Sequence, residues 1–155
     1  MIEAFRIVPE RRKQTAFNGE GARLFGGRWN TPGHSVVYAS CSRALAALEV
    51  LVHLDAQTVP FTYLLFSVKI PDVSYIENRY MGIKSPSLPL SIQPATQQFG
   101  DEWLESKKSA VLAVPSSIIS AEPNFLFNPQ HPDFQRLEIG EPERFTFDPR
   151  LLKVG

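Results

Sequence analysis

Residues 19–53 read GEGARLFGGRWNTPGHSVVYASCSRALAALEVLVH. A glycine-rich loop, a short apolar run and an apolar helix follow one another there without a gap. Gly19, Gly21, Gly26 and Gly27 lie within nine residues. Glycine permits positive φ and close approach of the backbone to a ligand. Arg23 and Arg28 flank the Gly26–Gly27 pair, and a guanidinium matches phosphate with two parallel N–H donors. The stretch from residue 16 to residue 31 is therefore read as a loop suited to a phosphorylated ligand. It is not a P-loop, because GxxxxGK[ST] is absent, and not a dinucleotide GxGxxG, because Leu24 holds the third glycine position. The plain alternative is a surface hairpin loop with solvated arginines.

Thr31-Pro32-Gly33 signals a turn. Residues 36–39, VVYA, read as a short buried strand. Ser40 or Ser42 can cap the helix that follows, and its alanines and leucines carry it to about Asp55. Glu49 is the one acidic residue between Arg43 and Asp55, and Leu45, Ala46, Val52 and His53 are its neighbours on the helix. A carboxylate in such a setting must be paired, be protonated or face a polar cleft, since desolvating it alone is costly. Two readings stand: a structural ion pair with an arginine or His53, and a carboxylate in a working site.

GARLFGGRWNTPGHSVVYAS, followed by an alanine- and leucine-rich helix with a central glutamate, closely resembles the RES domain. FRI at residues 5–7 is similar to that family's opening strand, and FGDEWL at 99–104 to its glycine–x–x–tryptophan helix. AVPSS at 113–117 and NFLFNP at 124–129 resemble its late motifs, so the likeness runs along nearly the whole chain.

The resemblance implies an NAD-degrading enzyme with a fold like that of ADP-ribosyltransferases. It also implies a toxin with a cognate Xre-like antitoxin, in a homo-oligomer or a toxin–antitoxin hetero-oligomer. The family's arginine falls on Arg28, its glutamate on Glu49 and its serine on Ser116, with Ser117 adjacent; its site tyrosine falls on Tyr38. On this reading Arg28, Glu49 and Ser116 are catalytic. Tyr38, Arg23 and Asn124 join Arg28 in holding NAD, and Arg6 braces the site. NAD is the substrate, and no cofactor or metal is implied. Water, inorganic phosphate or a protein side chain as acceptor would give hydrolysis, phosphorolysis or ADP-ribosylation. The alternative outside enzymology is a non-catalytic interaction module.

The 155 residues suffice for one domain spanning residues 1–155 with a proper core. Sixteen basic and sixteen acidic residues cancel to a net charge of +0, which argues against broad nucleic-acid binding. One cysteine, Cys41, leaves no internal disulfide and fits a reduced compartment; it reads as a small buried residue at a strand–helix junction. His34, His53 and His131 are scattered without HExxH or CxxC, so no metal site is expected. The N-terminus has no signal-peptide apolar region, and no stretch reaches the roughly 20 apolar residues of a membrane span. A cytoplasmic protein without membrane contact is expected.

Residues 4–8 read as a strand, and residues 9–13, with Arg11, Arg12 and Lys13, as a solvated basic turn. FTYLLFSVKI at 61–70 reads as a long central strand. Residues 73–77 are a further strand candidate, and 78–94 a loop over the cleft. A helix is predicted over 96–107, with Phe99 and Trp103 on one face. A strand at 110–114 brings Ser116 and Ser117 to its end and resumes at 118–121. Residues 124–132 read as turn-rich, and 134–139 and 144–147 as final strands. The whole is α+β, with a curved or split, mostly antiparallel sheet and flanking helices.

Overall fold

The computed structural model describes residues 1–54, 62–72, 76–77 and 94–152. Their strands are β1 (Ile2–Pro9), β2 (Val37–Ser40), β3 (Tyr63–Ile70), β4 (Ile76–Glu77), β5 (Val111–Pro115), β6 (Pro123–Phe127), β7 (Glu138–Ile139) and β8 (Glu143–Phe145). The helices are α1 (Glu20–Phe25), α2 (Arg43–Leu51) and α3 (Pro94–Ser106). All eight strands join one sheet in the order β4-β5-β6-β2-β1-β3-β7, with β8 also paired to β3. Pairing is antiparallel except between β4 and β5. The α+β expectation with a mostly antiparallel sheet holds.

The sheet is uneven along its length. β1 pairs with β3 at eight positions, from Ile2↔Ile70 to Pro9↔Tyr63. It pairs with β2 at one register, Phe5↔Ser40. The two halves part at this seam. Arg6 spans it: its guanidinium donates to Tyr38 O at 2.8 Å and to Ala16 O at 2.7 Å. A side chain thus satisfies a β2 carbonyl that the splayed neighbour strand does not, as a buried acceptor requires.

One face of the sheet buries Ala4, Val37, Val68, Val111, Ala113 and Phe127 in a single cluster, so strands from both halves curl around a shared core. The other face is covered in two blocks. The α2 residue Ala46 packs with Phe5, Ile7, Tyr63 and Leu65 over the first half. Trp29, Trp103 and Leu104 pack on Leu112, Val114 and Leu126 over the second. The gap between these blocks is the cavity described below. β3 is buried at six of its eight positions, which explains its nearly unbroken apolar sequence.

Several boundaries differ from the sequence reading, each for a local reason. The predicted loop at 16–31 contains α1. Gly19 at φ 72° precedes it, Asn18 Oδ1 accepts from Glu20 N at 2.9 Å, and Gly26 at φ 73° ends it. Two of the four glycines therefore serve helix ends rather than a ligand. α2 is capped by Ser42, whose hydroxyl accepts from Leu45 N at 3.0 Å, and it ends at Leu51 rather than near Asp55. Residues 118–121 form a turn, because the Ser116 hydroxyl accepts from both Ile118 N and Ile119 N. The segment read as turn-rich opens with β6, which bonds on one side to β2 and on the other to β5. The strand expected at 134–139 is largely the 3-10 turn Pro132–Arg136, followed by the short β7. The loop expected at 78–94 lies almost wholly outside the described residues, as does most of the strand candidate at 73–77.

Candidate active site

β2 and β6 alternate, so Tyr38 and Ser40 on one strand and Asn124 on the other face the gap, while Val37, Ala39 and Phe127 face the shared core. α2 crosses the same gap and brings Glu49 down onto it. The result is an open cavity of about 500 Å³, within the range of small-molecule sites.

Glu49 is held from behind. Its Oε1 accepts from Ser116 Oγ at 2.7 Å and from Asn124 Nδ2 at 2.7 Å. Asn124 is itself fixed: its Oδ1 accepts from Ser40 Oγ at 2.8 Å, which decides which way the amide points. Ser116 is 1% exposed, and its oxygen also takes the two backbone donors of the 118–119 turn. Glu49 therefore rests on two neutral donors from β6 and the end of β5. The arginine or His53 that its sequence setting suggests is not among these bonds, although His53 lines the same cavity. Both bonds fall on one oxygen, so the carboxylate presents its other oxygen, Oε2.

The opposite wall is the segment Gly26–Asn30. Gly27 and Asn30 form a bridge there, with Gly27 N donating to Asn30 O at 2.9 Å. Asn30 is fully buried, and its amide donates to the carbonyls of Ala22, Thr31 and His34. The Tyr38 hydroxyl donates to Asn30 Oδ1 at 2.7 Å and accepts from Trp29 N at 3.1 Å. Burial pushes that phenol well above its usual range, so it remains a donor. A Cβ on Gly27 would lie 2.7 Å from the Tyr38 hydroxyl, which is why no side chain fits there. α3 locks the segment from outside. Thr96 Oγ1 donates to Arg28 O at 2.6 Å, and Gln97 Nε2 donates to Gly27 O at 3.1 Å. Arg28 leaves this braced segment and lines the cavity across from Glu49's helix.

The predicted residues thus separate into three groups. Arg28, Tyr38, Glu49 and Asn124 line one cavity, with Arg6 at its seam. Ser116 lies behind Glu49, and its neighbour Ser117 is on the cavity wall. Arg23 is elsewhere: it pairs with Glu20 on the surface of α1 and belongs to a second hollow beside His34 and Lys107. The α1 helix turns it away. Cys41 is half-buried, and burial together with the nearby Glu122 raises its thiol above the ordinary value, which makes it a poor nucleophile.

Ser40, read only as a possible helix cap, and Asn30 were not singled out as site residues by the sequence reading. Ser40 carries a legible signal, since it stands two residues after Tyr38 on a strand. Asn30 carries none beyond its place in a glycine-rich turn. Arg11 and Arg12, read as solvated, are exposed yet line the cavity mouth. Among the described residues, four arginines, Arg6, Arg11, Arg12 and Arg28, then line the cavity with one carboxylate, Glu49. No helix among the described residues is long and apolar enough to cross a membrane.

The RES domain family model matches residues 3–148. The chain is 39% identical over 153 residues to Toxin Res of Yersinia enterocolitica serotype O:8 / biotype 1B (strain NCTC 13174 / 8081), covering 95% of this chain and 97% of that one. It is 34% identical over 154 residues to the Prs ADP-ribosylating toxin of Sphingobium sp. (strain YBL2), covering 96% of each. The fold is similar to that in the crystal structure of the M. tuberculosis MbcT–MbcA toxin–antitoxin complex, with a TM-score of 0.77 at 19% identity over 94% of this chain and 84% of the other. With a family model spanning almost its full length and relatives of this similarity, the chain belongs to the RES domain family.

Proposed function

We propose that the chain is the toxin of a toxin–antitoxin pair and cleaves the nicotinamide–ribose bond of NAD, depleting the cell's NAD and arresting growth. The observation that carries this reading is Glu49, fixed through Oε1 by Ser116 and Asn124 on the wall of an arginine-lined cavity. The C1′–N1 bond breaks with its electron pair going to the nicotinamide nitrogen, and neutral nicotinamide leaves. The transition state is oxocarbenium-like, as in glycoside cleavage. Glu49 Oε2 accepts from a ribose hydroxyl and places negative charge beside the developing cation. The Arg28 guanidinium pairs with the phosphates, and the Tyr38 ring faces the nicotinamide. Ser116 works through Glu49 rather than on substrate, as its buried and fully occupied hydroxyl argues. Water or inorganic phosphate then attacks C1′ and releases a proton, giving ADP-ribose or its 1″-phosphate.

Pure protein incubated with NAD, with and without inorganic phosphate, tests this by the mass of its products. Release of nicotinamide supports the reading, and intact NAD after prolonged incubation with folded protein overturns it. Expression alone is expected to stop growth in the cytoplasm where NAD resides. Co-expression of a cognate Xre-like antitoxin is expected to restore it, consistent with the toxin–antitoxin complex that shares this fold. A second reading, mono-ADP-ribosylation of a cellular protein, draws on the relative named an ADP-ribosylating toxin. A mass increase on a target protein that requires Glu49 would favour it over depletion.

A further inference from the structure

The basic turn at residues 10–15 takes no part in the chemistry proposed above, yet its position is unusual. The 3-10 turn Glu10–Thr15 is strapped at both ends. Glu10 N donates to Thr62 O at 2.9 Å, next to the start of β3. The following residue, Ala16, gives its carbonyl to Arg6 Nε at 2.7 Å. Of its three cations, Arg11 and Arg12 line the cavity mouth, and Lys13 does not. Arg12 reaches across towards α1, where its Nη1 lies 4.0 Å from the place a Cβ on Gly21 would take.

The cavity is thereby strongly cationic within a neutral chain. Four arginines against one carboxylate leave the described lining residues at a formal +3, whereas the whole chain is at +0. The cations affect one another. Arg6 is lowered to about 10, mainly by burial and further by the charge of Arg12. The charge of Arg11 acts to lower the Tyr63 phenol, against the larger upward effect of burial. Like charges held around a concave, partly dry surface repel, and an anion between them relieves that repulsion. Arg6 is committed to Ala16 O and Tyr38 O. Arg11 and Arg12 of the strapped turn line the mouth.

We propose that Arg11 and Arg12 form a diphosphate subsite at the cavity mouth, which holds the bridging phosphates of a dinucleotide and so selects it over a phosphate-free nicotinamide riboside. This rests on the reading of the cavity as an NAD site and adds a substrate-binding element on a different part of the chain from Arg28. A planar guanidinium can take a phosphate in bidentate fashion, so the two adjacent arginines of the turn can hold two linked phosphates. The strapped backbone reduces the entropy lost when those side chains engage.

ADP-ribose, which carries the diphosphate but cannot be cleaved at the nicotinamide bond, is the probe. Calorimetric titration of the Arg11→Gln/Arg12→Gln protein is expected to show at least tenfold weaker binding than wild type, with less dependence on salt. The same variant is expected to raise KM for NAD at least tenfold and to leave kcat within about twofold. Lys13→Gln removes the same charge from the same turn outside the cavity and is expected to bind ADP-ribose as wild type does. Equal weakening by Lys13→Gln, or binding within twofold of wild type in the double variant, would overturn the subsite. A wild-type protein that binds ADP-ribose through these arginines but releases no nicotinamide from NAD would keep the subsite and refute the proposed reaction.

Discussion

The two walls of the cavity are held in opposite ways. At the Glu49 wall, side chains hold side chains: Ser40, Asn124 and Ser116 form a chain of neutral donors that ends on one carboxylate oxygen. At the Arg28 wall, side chains hold backbone: Asn30, Thr96 and Gln97 donate to main-chain carbonyls, and the Tyr38 hydroxyl accepts from Trp29 N. The first arrangement fixes an atom. The second fixes a path, from which a long guanidinium reaches out. A reacting group needs placement to within a fraction of an ångström, whereas a phosphate clamp works from the end of a flexible stem. The contrast predicts that substitutions at the first wall change rate, and those at the second change stability and substrate affinity.

The largest expected effect is on rate. Glu49→Gln keeps an oxygen to accept from Ser116 and Asn124, so the fold should persist, with melting temperature within a few degrees of wild type. NAD turnover should fall by roughly 10²–10⁴. A wild-type rate in this variant would remove Glu49 from the chemistry. A large drop in melting temperature would mark it as structural instead.

Next comes the packing of α3 on the arginine segment. Gly100 lies so close to it that a Cβ would fall 1.7 Å from Trp29 O. Gly100→Ala must push the helix and the segment apart, at a cost of about 3 kcal/mol. For a domain of this size that is a drop of roughly 6–12 °C in melting temperature. Unchanged thermal unfolding would show that α3 does not support this wall.

Tyr38→Phe is a finer probe. It keeps the ring in the cavity but strands Asn30 Oδ1 and Trp29 N, for about 1–3 kcal/mol. Faster amide hydrogen exchange at Trp29, with no change at the turn backed by Ser116, is the expected pattern. Equal loosening at both walls would dissolve the contrast.

The smallest effect is titratable. His34 sits where the Arg28 wall meets α3, bonded to Glu105 at 3.0 Å and 3.4 Å from Asp101. The hydrogen bond to Glu105 and the charge of Asp101 raise its pKa, against partial desolvation. A raised folded-state pKa adds stability that is complete below the unfolded value of about 6.5 and is lost as pH rises through the folded one. Glu105 is largely exposed, so the pair should be worth no more than about 0.5 kcal/mol. His34→Gln should therefore lower stability slightly near pH 5.5 and leave it unchanged near pH 9. An equal loss at both would assign the effect to packing.

Much of this was legible before any coordinates. Glu49 stood out because a lone acid on an apolar helix needs a reason, and the resemblance put the family's tyrosine on Tyr38. The identity of its partners was not legible, because Ser116 and Asn124 reach Glu49 only through the pairing of β5, β6 and β2. Asn124 and Pro129 read locally as turn residues, yet tertiary pairing puts residues 124–127 in a strand. The glycine loop misled in the other direction. Gly19 and Gly26 end a short helix, and that helix carries Arg23 off the site. Arg11 and Arg12 were indistinguishable from Lys13 in the sequence; which side of the turn faces inward is decided by its two straps.

The uneven placement of charge also bears on how ligands arrive. With the described lining residues at +3 and the whole chain at +0, the rest of the sequence carries a formal −3. Among the described residues, positive charge is thus concentrated on the cavity lining. Such a lining attracts an approaching dianion. That attraction, and the encounter rate it raises, weakens as added salt shortens the Debye length below its physiological value of about 8 Å.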